Sequence, residues 1–137
     1  MRIIKSLIKK DSKKKTDLLL VTLPPWDVET PPVGLGYLAE YLINKGINVK
    51  VFDFNIDFFN KFKDKYAYLW KMHNQRYWFN EIKFNELFKI VKDEVENCVN
   101  KIINSKIEIV AFSVANPKER ITIETIKKLK EKTCQNQ

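Results

Sequence analysis

The sequence predicts an α/β fold in which helices wind onto both faces of an open parallel sheet. Three observations predict it. Short apolar runs at residues 17–23, 49–52 and 107–114 have the length and composition of strands buried on both faces. The segments between them carry apolar residues at helical spacing. Pro24-Pro25, Gly46 and Asn116-Pro117 mark the boundaries where the pattern changes.

The first strand, DLLLVTL at 17–23, stops at Pro24-Pro25, because proline lacks the N–H that a central strand must donate. A loop follows to Thr30, where Thr30 as N-cap and Pro31 at the first helical position predict a helix start. Leu35, Leu38, Ala39, Leu42 and Ile43 form the apolar stripe of this first helix, and Gly46 supplies the left-handed residue that ends it. The second strand, around Val49, Val51 and Phe52, is closed by Asp53 to Asn55 and completes a right-handed βαβ unit. Residues 56–105 then read as a helical insertion. It is too long for one crossover, so two helices joined near residues 73–78 are expected. Phe84, Leu87, Phe88, Val91, Val95, Cys98, Val99 and Ile102 mark the face of the second. IEIVAFSV at 107–114 gives the third strand, and Asn116, Pro117 and Glu119 give the capping pattern of a last helix that reaches about Lys132.

The 137 residues, 45% of them apolar, suit one domain with a core. Charge divides the chain unevenly. Residues 1–15 hold seven cations against Asp11, so this basic leader carries +6 of the net +8. The remainder is only slightly basic, and no nucleic-acid surface is expected of it. Ile3, Ile4, Leu7 and Ile8 fall at helical spacing within the leader, which permits weak contact with an anionic membrane surface or simply a solvated tail. No run approaches the roughly 18–20 apolar residues of a membrane span, and the expected location is the cytoplasm. Cys98 and Cys134 are far apart and form no CxxC pattern, so neither is expected to be a ligand or nucleophile.

With the strand order 2-1-3 of a Rossmann-like, flavodoxin-like sheet, a ligand binds beyond the carboxyl ends of the strands, where strand order reverses. The loops at 24–32 and 115–120 flank that point, with Asp53 and Asn55 nearby. Gly34-Leu35-Gly36-Tyr37-Leu38-Ala39 also matches G-x-G-x-x-A, with Asp53 about twenty residues later. In a dinucleotide site, however, the first glycine turns the chain directly after the strand, whereas here some ten residues and four prolines intervene. The glycines are expected inside the helix, letting it lie close to the sheet or to a bulky ligand.

The strand ending in Pro-Pro, the segment PPVGLGYLAEYLINKGINVKVFDFN and the later IVAFSV together resemble the N-terminal cobalamin-binding domain of B12-dependent radical S-adenosylmethionine proteins. The resemblance covers most of residues 17–132 and is strongest from Pro31 to Ala39, with Gly46 and Asp53. It implies a partial cobalamin-binding domain over residues 16–137, holding the corrin across the carboxyl edge of the sheet. The implied contacts are Trp26, Thr30, Pro32, Gly34, Gly36 and Asp53 on one side and Ser113 and Asn116 on the other. Each also has a purely structural reading: an ordinary loop aromatic, a helix cap, a strand end.

No Asp-x-His-x-x-Gly motif offers an axial histidine, and His73 lies in the insertion without an acidic neighbour in sequence. Trp70 and Trp78 are read as core or as a shield over the corrin. The CxxxCxxC motif that would hold a [4Fe-4S] cluster and S-adenosylmethionine is absent, so those cofactors are expected only in a missing domain or partner chain. A three-stranded sheet looks unfinished for this architecture. The expectation is an N-terminal fragment, a truncated product, or a subunit, not catalytic alone; the alternative is an α/β interaction module that completes its sheet with a partner chain.

Overall fold

The computed structural model describes residues 15–135. The leader's amphipathic turn and any membrane contact it makes lie outside the described residues. The elements run β1 (Leu18–Thr22), α1 (Val33–Asn44), β2 (Val49–Asp53), α2 (Phe54–Tyr66), α3 (Arg76–Phe79), α4 (Glu81–Asn104), β3 (Ile109–Ser113) and α5 (Glu119–Gln135). Short 3-10 turns at Ala67–Trp70, Met72–Asn74 and Asn116–Lys118 connect some of them. The sheet is parallel with order β2-β1-β3, as the sequence predicts.

The register aligns Thr22 at the end of β1 with Asp53 of β2 and with Ser113 of β3. Side chains alternate across a strand, so Leu19 and Val21 share a face with Phe52, Val110 and Phe112. That face packs into the larger core with Phe54, Phe58, Trp70, Trp78, Val91, Val95 and Ile121. Complete burial of Phe54 and Phe58 stabilises the fold by about 2 kcal/mol each. The opposite face meets α1 through Leu20, Leu35 and Ala39, with Leu18, Leu42, Val49, Val51 and Ala111 alongside.

Three local details differ from the sequence reading. The first helix begins at Val33, and Thr30 does not cap it; the Thr30 hydroxyl donates instead to Asp27 Oδ2 at 2.8 Å. Asp53 ends β2 and is at once the N-cap of α2, accepting from the Ile56 N–H at 3.4 Å, so no loop intervenes. Asn116 makes no side-chain cap; it opens a 3-10 turn, and α5 starts at Glu119. The end of α1 follows expectation. Gly46 adopts φ +86°, and the Gly46 and Ile47 amides donate to the carbonyls of Ile43 and Leu42, closing a Schellman motif.

The insertion consists of α2 and α4 joined by the two 3-10 turns and α3. Trp70 and Trp78 are both buried, in an edge-to-face pair with ring centres 5.4 Å apart. Lys61 to Glu94 at 2.6 Å and Lys101 to Asp57 at 2.9 Å tie α2 to α4. The insertion therefore builds one side of the core and brings Trp70 up beneath the loop that follows β1.

Candidate functional site

The chain cannot continue as a strand through the prolines after Leu23, so it turns across the carboxyl edge of the sheet. The Pro24-Pro25 bond in this turn is cis. Trp26 follows, and its main chain is held like a strand segment by a side chain: the Trp26 N–H donates to Asn55 Oδ1 at 3.0 Å, while Asn55 Nδ2 donates to the Trp26 carbonyl at 3.1 Å. The same Oδ1 accepts from Trp70 Nε1 at 2.8 Å. Asn55 is buried with these bonds made, which is the condition under which a buried amide is stable.

The loop beyond is shaped by Asp27, whose carboxylate accepts from the Glu29 N–H at 3.0 Å and from the Thr30 hydroxyl. Those two bonds hold its pKa below the ordinary carboxylate value. Trp26 Nε1 donates to the Thr30 carbonyl at 3.1 Å, closing the loop on itself. The indole stays 38% exposed even though its backbone, its Nε1 and one ring face are all engaged. Fixed and exposed together, it forms a rigid aromatic wall.

That wall bounds a cleft of about 410 Å³ lined by residues 26–32 of the loop together with Asp53, Asn55, Ile56 and Asp57. Its ionisable lining residues are Asp27, Glu29, Asp53 and Asp57, all acidic in a chain of net charge +8. Burial raises the Asp53 pKa, opposed by the Ile56 and Asn55 amides and by the charge of Lys118. A second hollow of about 520 Å³ lies on the other side of the same loop and includes Phe59, Trp70, Lys71 and His73. Among the described residues, no group of three or more His, Cys, Asp or Glu side chains is placed to hold a metal ion.

Of the eight residues singled out from the sequence, Trp26, Thr30, Pro32 and Asp53 converge on the first cleft. Ser113 stands beside Thr22 in the sheet register, with β1 between it and Asp53, and Asn116 is exposed in the turn that follows β3. Gly34 and Gly36 lie in the first turns of α1, outside the lining. A Cβ at either would meet nothing within 4 Å, so close packing on the sheet does not require these glycines.

Sequence reasoning missed Lys118. This side chain is 3% exposed, its Nζ donates to Thr22 Oγ1 at 2.9 Å, and it lies 4.9 Å from the centre of the Trp26 ring. Burial lowers its pKa, while the Asp53 charge opposes that effect. In the sequence it reads as one more charge inside a capping pattern. Only the register of Thr22 against the turn after β3 discloses that it points inward.

No protein-family model, curated protein or solved structure matches this chain.

Proposed function

We propose that this chain is the cobalamin-binding portion of a B12-dependent radical S-adenosylmethionine enzyme, with the corrin resting across the carboxyl edge of the sheet. The observation that carries the reading is the fixed, exposed indole of Trp26 at the mouth of the cleft between the β1 loop and Asp53. The cleft opens on the β2 side of β1 at the carboxyl edge of the sheet, and the loop that walls it also borders the reversal of strand order between β1 and β3, where open α/β sheets take their ligands.

The residues suit a large flat ring bearing amide side chains. Val28, Pro31, Pro32 and Ile56 give apolar contact, Trp26 offers an aromatic face, and Asp53 and the Thr30 hydroxyl offer polar partners at the rim. The open space over Gly34 and Gly36 lets a ring approach the helix backbone. Ser113 and Asn116 extend the same edge past β1. Cobalamin, when bound, would carry the methyl group or take part in the related radical step. The residues of this chain bind it, orient it and exclude water from one side. The [4Fe-4S] cluster and S-adenosylmethionine belong to a domain or partner chain with the CxxxCxxC motif that this sequence lacks. Gel filtration after incubation with hydroxocobalamin tests the reading. Corrin absorbance eluting with the folded protein supports it, and colourless folded protein opposes it.

A second reading draws on a separate observation. Among the described residues β2 and β3 are edge strands, and Ile109 of β3 is 61% exposed, with Val114 just beyond it also exposed. Unpaired strand edges invite pairing with another chain, which favours an interaction module. Sedimentation that depends on protein concentration, without cofactor, is its signature.

A further inference from the structure

A helix that covers a sheet turns a polar face to solvent, and α1 departs from that pattern. Leu35 and Ala39 are its buried residues, packed on Leu20 of the sheet. On the opposite side Val33, Tyr37 and Tyr41, four residues apart, form one row that is 54%, 72% and 59% exposed, and Leu38 borders it. Glu40 is the one acid in the helix. Cations gather at the end of this row. As the crossover of a parallel βαβ unit, α1 runs back to the amino edge of the sheet, where its last turn leads through Gly46 to Asn48. There the Asn48 carbonyl accepts from the Asp17 and Leu18 N–H groups at 2.8 and 3.2 Å, so the basic leader joins the fold beside the end of α1. Lys45 lies 5.6 Å from the centre of the Tyr41 ring, and Lys15, Lys45 and Lys106 are all exposed along this edge. With the other cations of residues 1–15, which carry a net +6, they place positive charge next to an aromatic row.

We propose that the outer row of α1 and the cationic amino edge together form a docking surface for an anionic lipid bilayer. The helix lies in the plane of the interface, with the Tyr37 and Tyr41 rings among the headgroups, their hydroxyls still hydrated, and Val33 and Leu38 against the acyl boundary. The leader and the edge lysines supply the attraction to acidic headgroups. Charge decides for lipid over a protein partner, and so does area. Four side chains of this size and exposure offer roughly 450 Å², well short of the roughly 800 Å² per partner of a standard protein interface. The cleft stands at the carboxyl edge, away from the cations, so a docked molecule keeps its mouth open.

This inference rests on neither reading of the function, and its test uses no cobalamin. The full chain is sedimented with vesicles of phosphatidylcholine alone and of a three-to-one mixture with phosphatidylserine. Wild type is expected to pellet with the anionic vesicles and not with the neutral ones. Raising salt from about 0.1 M to about 1 M, which shortens the Debye length from about 10 to about 3 Å, releases it. Replacing both Tyr37 and Tyr41 by Ser is expected to weaken partitioning about tenfold while circular dichroism stays unchanged, because both side chains are exposed. Replacing Lys9, Lys10, Lys13 and Lys14 by Gln weakens it as well, whereas Ile82→Ser, at an exposed position on α4, leaves it unchanged. Wild type that stays in the supernatant overturns the proposal. So does a tyrosine variant that binds as well as wild type, which would leave the leader acting alone, or one that loses only self-association, which would assign the row to a second copy of the chain.

Discussion

Asn55 carries more of the site than its size suggests. Its amide satisfies both main-chain groups of Trp26 and the indole N–H of Trp70, so one side chain fastens the β1 loop to the helical insertion. Asn55→Ala leaves those groups without partners in a buried setting and is expected to cost about 3 kcal/mol, read from urea denaturation. Lys118 yields a pH prediction. Its folded pKa lies below the ordinary 10.5, so between the folded value and 10.5 the unfolded chain binds more protons at this group than the folded chain. Stability therefore rises with pH across that window. The difference in unfolding free energy between wild type and Lys118→Met should climb as pH approaches 10.5 and be flat at lower pH; a difference that falls would contradict the burial account. At this scale half of the site was legible. Trp26, Thr30, Pro32 and Asp53 could be named because proline and the strand end dictate where the loop goes. Lys118 could not, because direction of burial depends on packing between segments 96 residues apart.

The elements were the most legible level, since each has its own periodic signal. The apolar stripe of α4 becomes a row of buried side chains from Phe84 to Ile102, as its spacing predicts. Leu87→Ala is expected to cost about 3 kcal/mol through lost contacts and the cavity left behind, whereas Ile82→Ala, at a position 75% exposed, stays within about 0.5 kcal/mol. The helix start at Val33 was misplaced by two residues because Asp27, three residues upstream of Thr30, competes for its hydroxyl, a turn chemistry that a capping pattern does not reveal. The glycines of α1 also separate fold from function. Nothing crowds a Cβ at Gly36, and its helical conformation suits alanine, so Gly36→Ala should raise stability by about 1 kcal/mol in thermal or urea unfolding. If the corrin lies against this turn, the same substitution weakens cobalamin retention. Stability gained together with binding lost marks a glycine kept for a ligand.

Across the whole molecule, alternating strands and helices call for a parallel sheet, and the order β2-β1-β3 is the one expected of a flavodoxin-like arrangement, since crossover handedness alone would equally allow β1-β2-β3. The sequence could not disclose how charge is distributed in space. A basic chain presents an acidic cleft because the β1 loop and the start of α2 bring four carboxylates together. No helix among the described residues is long and apolar enough to cross a membrane. Coverage of the sheet is uneven: the insertion and α5 pack one face, α1 meets the other, and Tyr37 of α1 and Ile109 of β3 remain 72% and 61% exposed. The central claim is that a cobalamin lies in the cleft against Trp26. The most direct test compares wild type and Trp26→Ala in a hydroxocobalamin titration, with bound corrin measured by equilibrium dialysis and folding checked by circular dichroism. The account predicts saturable binding to wild type, weakened at least about tenfold by the substitution, the loss expected from removing an aromatic contact of about 1.4 kcal/mol. Folded wild-type protein that binds no corrin, or equal binding by the two proteins, would contradict it.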